Sequence, residues 1–104
     1  MRRIALLVGN EKFGPDSGLP DLEGPCNDVK ALESVLHDPE RGDFEVRTFT
    51  DKRRDVVMSE LEKVLGAATQ DDLLVLFFAG HGKLDRRGHL CLADLQHLGH
   101  AHGA

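Results

Sequence analysis

Leu73-Leu-Val-Leu-Phe-Phe-Ala79 is the longest uninterrupted apolar run in the sequence, and Gly80-His81-Gly82 follows it directly. A short, continuous apolar run bounded by turn residues is typical of a strand that is covered on both faces of a parallel sheet. The run is far shorter than the roughly 20 residues that cross a bilayer, so we predict no membrane span. We expect this segment to be a central strand with His81 at its carboxyl end.

The pattern alternates between strand and helix on the amino-terminal side of this run. Residues 3–8 form a second predicted strand, which is continuously apolar after Arg3. Residues 43–50 alternate between apolar and polar, which is typical of a strand near a sheet edge. Helical periodicity lies between the strands, and residues 89–93 form a short fourth apolar segment. The order predicts an α/β fold, with a mainly parallel sheet of strand order 2-1-3-4 and helices on both faces.

Each predicted helix has one apolar face and begins near a residue that favours a helix N-terminus. The first begins at Pro25, and the second is expected to be capped by Asp51. The residues expected to face the core are Val29, Leu32, Val35 and Leu36 in the first helix and Val57, Leu61, Val64, Leu65 and Ala68 in the second.

Composition narrows the classes of function. The 104 residues suffice for one domain, and the net charge of −5 disfavours nucleic-acid binding. The two cysteines form no C-x-x-C pair, so we expect no structural metal site, and we also expect no cofactor. Because there are only two cysteines and the amino-terminal apolar run is too short for a signal peptide, we expect reduced thiols and a cytoplasmic setting.

The predicted sheet places His81 in a ligand-binding position. In an open α/β sheet, ligands bind beyond the carboxyl ends of the strands where the strand order reverses, here between strands 1 and 3. Histidine suits proton transfer near neutral pH, and the backbone N–H of Gly82 is expected to be free for a developing oxyanion because the strand ends there. The alternative is a tight turn with an incidental histidine.

Three blocks of the sequence resemble the caspase-like cysteine peptidases (peptidase C14), with the bacterial and metacaspase branch most similar. They are Ile4-Ala-Leu-Leu-Val-Gly-Asn10, Leu22-Glu-Gly-Pro-Cys-Asn-Asp-Val29 and Asp72-Leu-Leu-Val-Leu-Phe-Phe-Ala-Gly-His-Gly82. The resemblance covers residues 4 to about 94 and implies a caspase-like three-layer sandwich, with residues 1–94 as the amino-terminal half of a C14 domain. The weak periodicity and small residues at the end of the sequence predict that residues 95–104 form a disordered tail.

The resemblance also implies roles for individual residues. His81 matches the catalytic histidine of a Cys–His dyad, and Gly82 matches the oxyanion position. Asp28 matches an acidic residue that binds a basic P1 side chain, which favours cleavage after Arg or Lys; its alternative role is to complement the positive end of the first helix. Asp94 matches an acidic position of unassigned role, and calcium is possible by resemblance alone.

Two departures from the family pattern affect the expected activity. Ala79 stands where metacaspases usually have serine, and the family's nucleophile belongs to a later strand than any in these 104 residues. We therefore expect a truncated domain that is inactive alone. The competing interpretation is a non-catalytic module that binds a peptide or protein partner, or a second copy, through an exposed sheet edge.

The remaining thiols and imidazoles are weaker candidates. Cys26 is a candidate nucleophile, because it begins a helix near His81 and a helix N-terminus lowers a thiol pKa. The favoured alternative is a small, partly buried residue that packs in the first turn of the helix. Cys91 is expected in the core. His97, His100 and His102 are expected in the solvated tail rather than in a metal site.

Overall fold

The computed structural model describes residues 1–13, 18–84, 86–87 and 90–92. In the described residues, two helices alternate with the first three strands and two short strands follow. Neither helix is long and apolar enough to span a membrane. The elements are β1 (Arg3–Gly9), α1 (Pro25–His37), β2 (Glu45–Thr50), α2 (Arg54–Ala67), β3 (Leu73–Ala79), β4 (Gly82–Leu84) and β5 (Leu90–Leu92).

A three-stranded parallel sheet of order β2-β1-β3 forms the centre of the fold. β1 is buried from Ile4 to Gly9 because strands flank it on both sides and a helix covers each face. The predicted α/β class, the parallel pairing and the 2-1-3 part of the order are confirmed.

The fourth predicted strand lies elsewhere than expected. Leu90–Leu92 pairs antiparallel with Gly82–Leu84, in a two-stranded ribbon separate from the parallel sheet. A parallel crossover needs a dozen or more residues, whereas only 10 residues separate Ala79 from Leu90. β3 is consequently an edge strand within the described sheet rather than a central one. The predicted domain limit at residue 94 and the tail at 95–104 lie outside the described residues.

The two helices pack on opposite faces of the sheet, as predicted. Alternate residues of β1 point to opposite sides, so Ala5 and Leu7 meet Val29 of α1, whereas Ile4 and Leu6 meet Val64 of α2. The apolar faces are narrower than expected: Val35 is 41% exposed and Leu65 is 55% exposed. The residue next to each of them does pack on the sheet. The prediction from helical periodicity therefore made the buried face of each helix wider than the area that the sheet covers.

The end of β1 and the start of α1 approach each other closely. A Cβ atom on Gly9 would lie 2.9 Å from the carbonyl oxygen of Pro25 and 2.9 Å from Cγ2 of Val29. Pro25 occupies the first turn of α1, as predicted, and Gly24 before it has a φ of 117°. Glycine at position 9 therefore lets the first turn of α1 lie against the carboxyl end of the sheet.

Candidate active site

His81 follows β3 at the carboxyl edge of the sheet, where the ends of β1 and β3 are held together. The backbone N–H of Asn10 donates to the carbonyl of Ala79 at 2.9 Å. A Cβ on Gly80 would lie 3.3 Å from the Cβ of Asn10, so glycine accommodates this approach. The placement of His81 beside the β1–α1 loop follows the sequence prediction.

Two groups of the β1–α1 loop hold the imidazole of His81. Its Nε2 lies 3.0 Å from the carbonyl oxygen of Pro20, and the ring of Phe13 packs edge-on at a centroid distance of 4.6 Å. A carbonyl only accepts hydrogen bonds, so Nε2 carries the proton and Nδ1 of the neutral ring is a base. Nδ1 accepts no hydrogen bond from the described residues. The loop thus orients His81 with one nitrogen available for proton transfer.

The loop that holds His81 is itself cross-linked. Phe13 is fully buried, and its N–H donates to the carboxylate of Asp21 at 3.3 Å. The N–H of Leu22 donates to the carbonyl of Glu11 at 2.9 Å, which joins the two limbs of the loop. These bonds fix the positions of the Phe13 ring and the Pro20 carbonyl relative to each other.

Gly82 begins β4 and lies opposite Leu92. β3 ends before this residue, as expected, and the chain continues directly into the β4–β5 ribbon. The role of its N–H as an oxyanion donor stays a prediction.

Asp28 lies in the first turn of α1, where its N–H donates to the carbonyl of Gly24 at 2.8 Å. Its side chain is exposed, makes no capping hydrogen bond and forms no ion pair with the described residues. Its charge complements the positive end of the helix and remains accessible to a ligand.

Cys26, also in the first turn of α1, has different neighbours from His81. Its Sγ lies 3.9 Å from the carbonyl oxygen of Gly9 and 4.0 Å from Oδ2 of Asp51, and its N–H donates to Oε2 of Glu11 at 3.0 Å. Burial raises the pKa of the Cys26 thiol, and the carboxylates of Glu11 and Asp51 raise it further. The thiol is protonated at neutral pH, contrary to the lowering expected from the helix N-terminus, and it makes no hydrogen bond to His81.

The family relationship agrees with this geometry. The model of the caspase domain family, peptidase C14, matches residues 2–101. The chain belongs to this family. A search of the curated proteins finds no match. The resemblance inferred from the three sequence blocks is thereby confirmed for the caspase domain as a family.

Sequence reasoning missed four contributors to this edge of the caspase domain: Glu11, Phe13, Pro20 and Asp51. Asp51 was expected to cap α2, but Arg53 occupies the cap position and makes no side-chain capping bond. Asp51 instead has a φ of 52°, and its Oδ1 accepts the N–H groups of Glu11 at 2.8 Å and Lys12 at 2.9 Å. The available signal was its place directly after β2, because parallel strands end at the same edge.

Some predicted residues of the caspase domain lie outside what the structure describes. They are Asp94, His97, His100, His102 and the side chain of Cys91. Their expected roles stay predictions.

Proposed function

We propose that this caspase domain is the histidine-bearing part of a cysteine-type endopeptidase that cleaves after Arg or Lys. The observation that carries the proposal is the hydrogen bond from His81 Nε2 to the carbonyl of Pro20 at 3.0 Å. An imidazole held in this way presents Nδ1 as a base, which a Cys–His dyad requires.

The proposed reaction uses each nitrogen of His81 for one purpose. Nδ1 accepts the proton of the nucleophilic thiol, and the thiolate attacks the peptide carbonyl carbon. The N–H of Gly82 stabilises the oxyanion of the tetrahedral intermediate. His81 then gives the proton to the leaving amine, and the acyl-enzyme is hydrolysed by a water that the same nitrogen deprotonates. The hydrogen bond from Nε2 to the carbonyl of Pro20 is kept throughout the reaction and fixes the orientation of the ring.

Asp28 is the proposed source of specificity for a basic side chain. Its exposed carboxylate is in the first turn of α1, near the end of β1, and no described cation neutralises it. A positively charged P1 side chain therefore gains a charge-assisted interaction that an acidic one does not.

We further propose that the 104-residue chain does not hydrolyse peptides by itself. Cys26 is the one thiol whose side chain the structure describes, and it is protonated and bonded away from His81. Its free thiol also supports a reducing, cytoplasmic location.

Peptide hydrolysis tests this part of the proposal. Fluorogenic peptides with Arg, Lys or Asp at P1 should be turned over no faster by the 104-residue protein than by its His81→Ala variant. Turnover that His81→Ala abolishes would overturn the proposed inactivity. Loss of that turnover in Cys26→Ser as well would make Cys26 the nucleophile.

Binding tests the proposed substrate class without requiring turnover. In protein labelled with ¹⁵N-histidine, the His81 ring signals should report an Nε2–H tautomer and should shift when an Arg-containing peptide is added. Asp28→Asn should weaken this response, whereas Glu33→Gln, a matched change on the same helix, should preserve it. An Nδ1–H tautomer, or an equal response to a peptide with Asp in place of Arg, would contradict the proposal.

A second candidate function is a non-catalytic module that associates through its sheet edge. Leu73 is 45% exposed and Leu76 is 53% exposed, both on β3, which is the edge of the described sheet. Exposed strand edges of this kind pair with other chains. Size-exclusion chromatography with light scattering tests it: a monomer at all accessible concentrations would remove self-association as the function.

A further inference from the structure

Three metal-ligating side chains from three different segments meet at the carboxyl edge of the sheet. Glu11 follows β1, Cys26 begins α1 and Asp51 follows β2. One ligand atom from each lies within 4.8 Å of the others, and all three residues are half-buried. This cluster, Glu11–Cys26–Asp51, is separate from the contacts of His81.

The cluster is held in place by bonds that leave ligand atoms facing one another. Oε2 of Glu11 accepts the N–H of Cys26, and Oδ1 of Asp51 accepts two backbone N–H groups. Oδ2 of Asp51 is thereby directed towards Sγ of Cys26 at 4.0 Å, and the carbonyl oxygen of Gly9 is 3.9 Å from the same sulfur. The cluster therefore offers one sulfur and several oxygens at short mutual distances.

The charge around the sulfur favours a cation. Two carboxylates lie at this sulfur, since Oδ2 of Asp51 is 4.0 Å from Sγ and Oε2 of Glu11 accepts the N–H of the same cysteine. A divalent cation would neutralise the two carboxylates and replace the thiol proton, which is released to solvent on coordination.

We propose that Glu11, Cys26 and Asp51 bind one thiophilic divalent cation of the Zn²⁺ class. A cation about 2.3 Å from sulfur and about 2.1 Å from oxygen fits between a sulfur and a carboxylate oxygen that are this close. A thiolate ligand selects Zn²⁺ or Cd²⁺ over Ca²⁺ or Mg²⁺, which prefer all-oxygen sites. The inference does not depend on peptidase activity.

A cation bound at this cluster would also affect the loop that contacts His81. Glu11 and Cys26 flank the loop that carries Phe13 and Pro20, and Asp51 belongs to the end of β2. A bound cation would tie both ends of this loop to the sheet and so stabilise the surroundings of His81.

Cadmium binding to the 104-residue protein tests the proposal. We expect one Cd²⁺ per chain by calorimetry, a thiolate-to-cadmium absorption band in the ultraviolet, and a higher melting temperature. Cys26→Ser should abolish the band. Glu11→Gln and Asp51→Asn keep the hydrogen-bond acceptors but remove charge, and each should raise the dissociation constant at least about tenfold, because loss of an outer-shell partner alone has that effect.

The controls address the other ligands in the chain. Cys91→Ser, and a variant in which His97, His100 and His102 are all replaced by Ala, should bind Cd²⁺ as the parent protein does. The proposal is overturned if the band persists in Cys26→Ser and disappears in Cys91→Ser, if the histidine variant loses binding, or if Glu11→Gln and Asp51→Asn bind with unchanged affinity. Should Cys26→Ser fail to fold by circular dichroism, the two carboxylate variants decide the outcome.

Discussion

The neighbours of His81 and of Cys26 have different effects on which atom of each side chain holds a proton. A backbone carbonyl accepts the Nε2 proton of His81, so the other nitrogen is left as a base. Partial burial and two carboxylates raise the pKa of the Cys26 thiol and so keep the proton on the sulfur. Since a cysteine nucleophile needs the thiolate, the first residue suits catalysis and the second suits a cation or a packed position.

Gly9 is a residue at which we expect a single added methyl group to reduce stability. Gly9→Ala would place a methyl group 2.9 Å from backbone and side-chain atoms of α1. We expect it to lower the free energy of unfolding by about 1–3 kcal/mol, as other overpacking substitutions do.

Urea denaturation measures this loss, and Gly66→Ala is its matched control. Gly66 lies in α2, where a Cβ would meet nothing within 4 Å. Replacing a helical glycine with alanine should raise the free energy of unfolding by about 0.5–1 kcal/mol. Equal effects of the two substitutions would show that the close approach at Gly9 does not limit stability.

At the scale of elements, carboxylates that accept backbone N–H groups hold both ends of the sheet. Loops joined by carboxylate hydrogen bonds form the carboxyl edge. At the opposite edge, one side chain, Asp72, joins the start of β1 to the turn before β3. Its Oδ1 accepts the N–H of Arg2 at 2.8 Å, and its Oδ2 accepts the N–H of Thr69 at 3.0 Å.

These two N–H groups lower the pKa of the Asp72 carboxyl group from its ordinary value of 3.8. Because the folded-state pKa is the lower one, the stabilisation is present above pH 3.8 and is lost as pH falls through the folded-state value. Asp72→Asn should therefore lower the urea midpoint at neutral pH and reduce its decrease under acid conditions.

Urea midpoints measured across acid pH test this linkage. Asp71→Asn is the control, since Asp71 lies in the same turn and makes no side-chain hydrogen bond with the described residues. Part of the acid dependence should remain in Asp72→Asn, because hydrogen bonds also lower the pKa values of Asp38 and Glu45. A pH profile of Asp72→Asn that matches the parent protein would contradict the role of Asp72.

At the scale of the whole molecule, β3 is the edge of the described sheet at which we expect this chain to pair with others. The N–H of Leu73 and the carbonyl of Ala79 both bond towards β1, so the alternate residue Leu76 directs its backbone groups away from β1. We expect the protein to self-associate at high concentration and Leu76→Lys to shift it towards monomer, because a charged edge resists pairing.

Sedimentation or light scattering over a concentration series provides the measurement. Val35→Lys is the control, since Val35 is similarly exposed but lies on α1. If Val35→Lys dissociates the oligomer as effectively as Leu76→Lys, the contact is a general apolar one and does not involve the β3 edge.

The sequence by itself determined the order of strands and helices, the burial of β1, the 2-1-3 arrangement, the place of His81 after β3 and the family. These properties depend on periodicity and on short motifs, which involve only residues a few positions apart in the sequence. The exposure of Val35 and Leu65 shows where periodicity stops being sufficient, since the width of a helix's buried face depends on how much sheet lies beneath it.

Only the tertiary structure decided the chemistry at the carboxyl edge. The bond between His81 and Pro20 joins residues 61 positions apart, and the protonated state of Cys26 depends on Glu11 and Asp51 from two other segments. Loops without periodicity carry Pro20, Glu11 and Asp51, so no local pattern specifies which groups their folding brings together. A proton's position depends on these long-range neighbours, and therefore on the fold rather than on the residue alone.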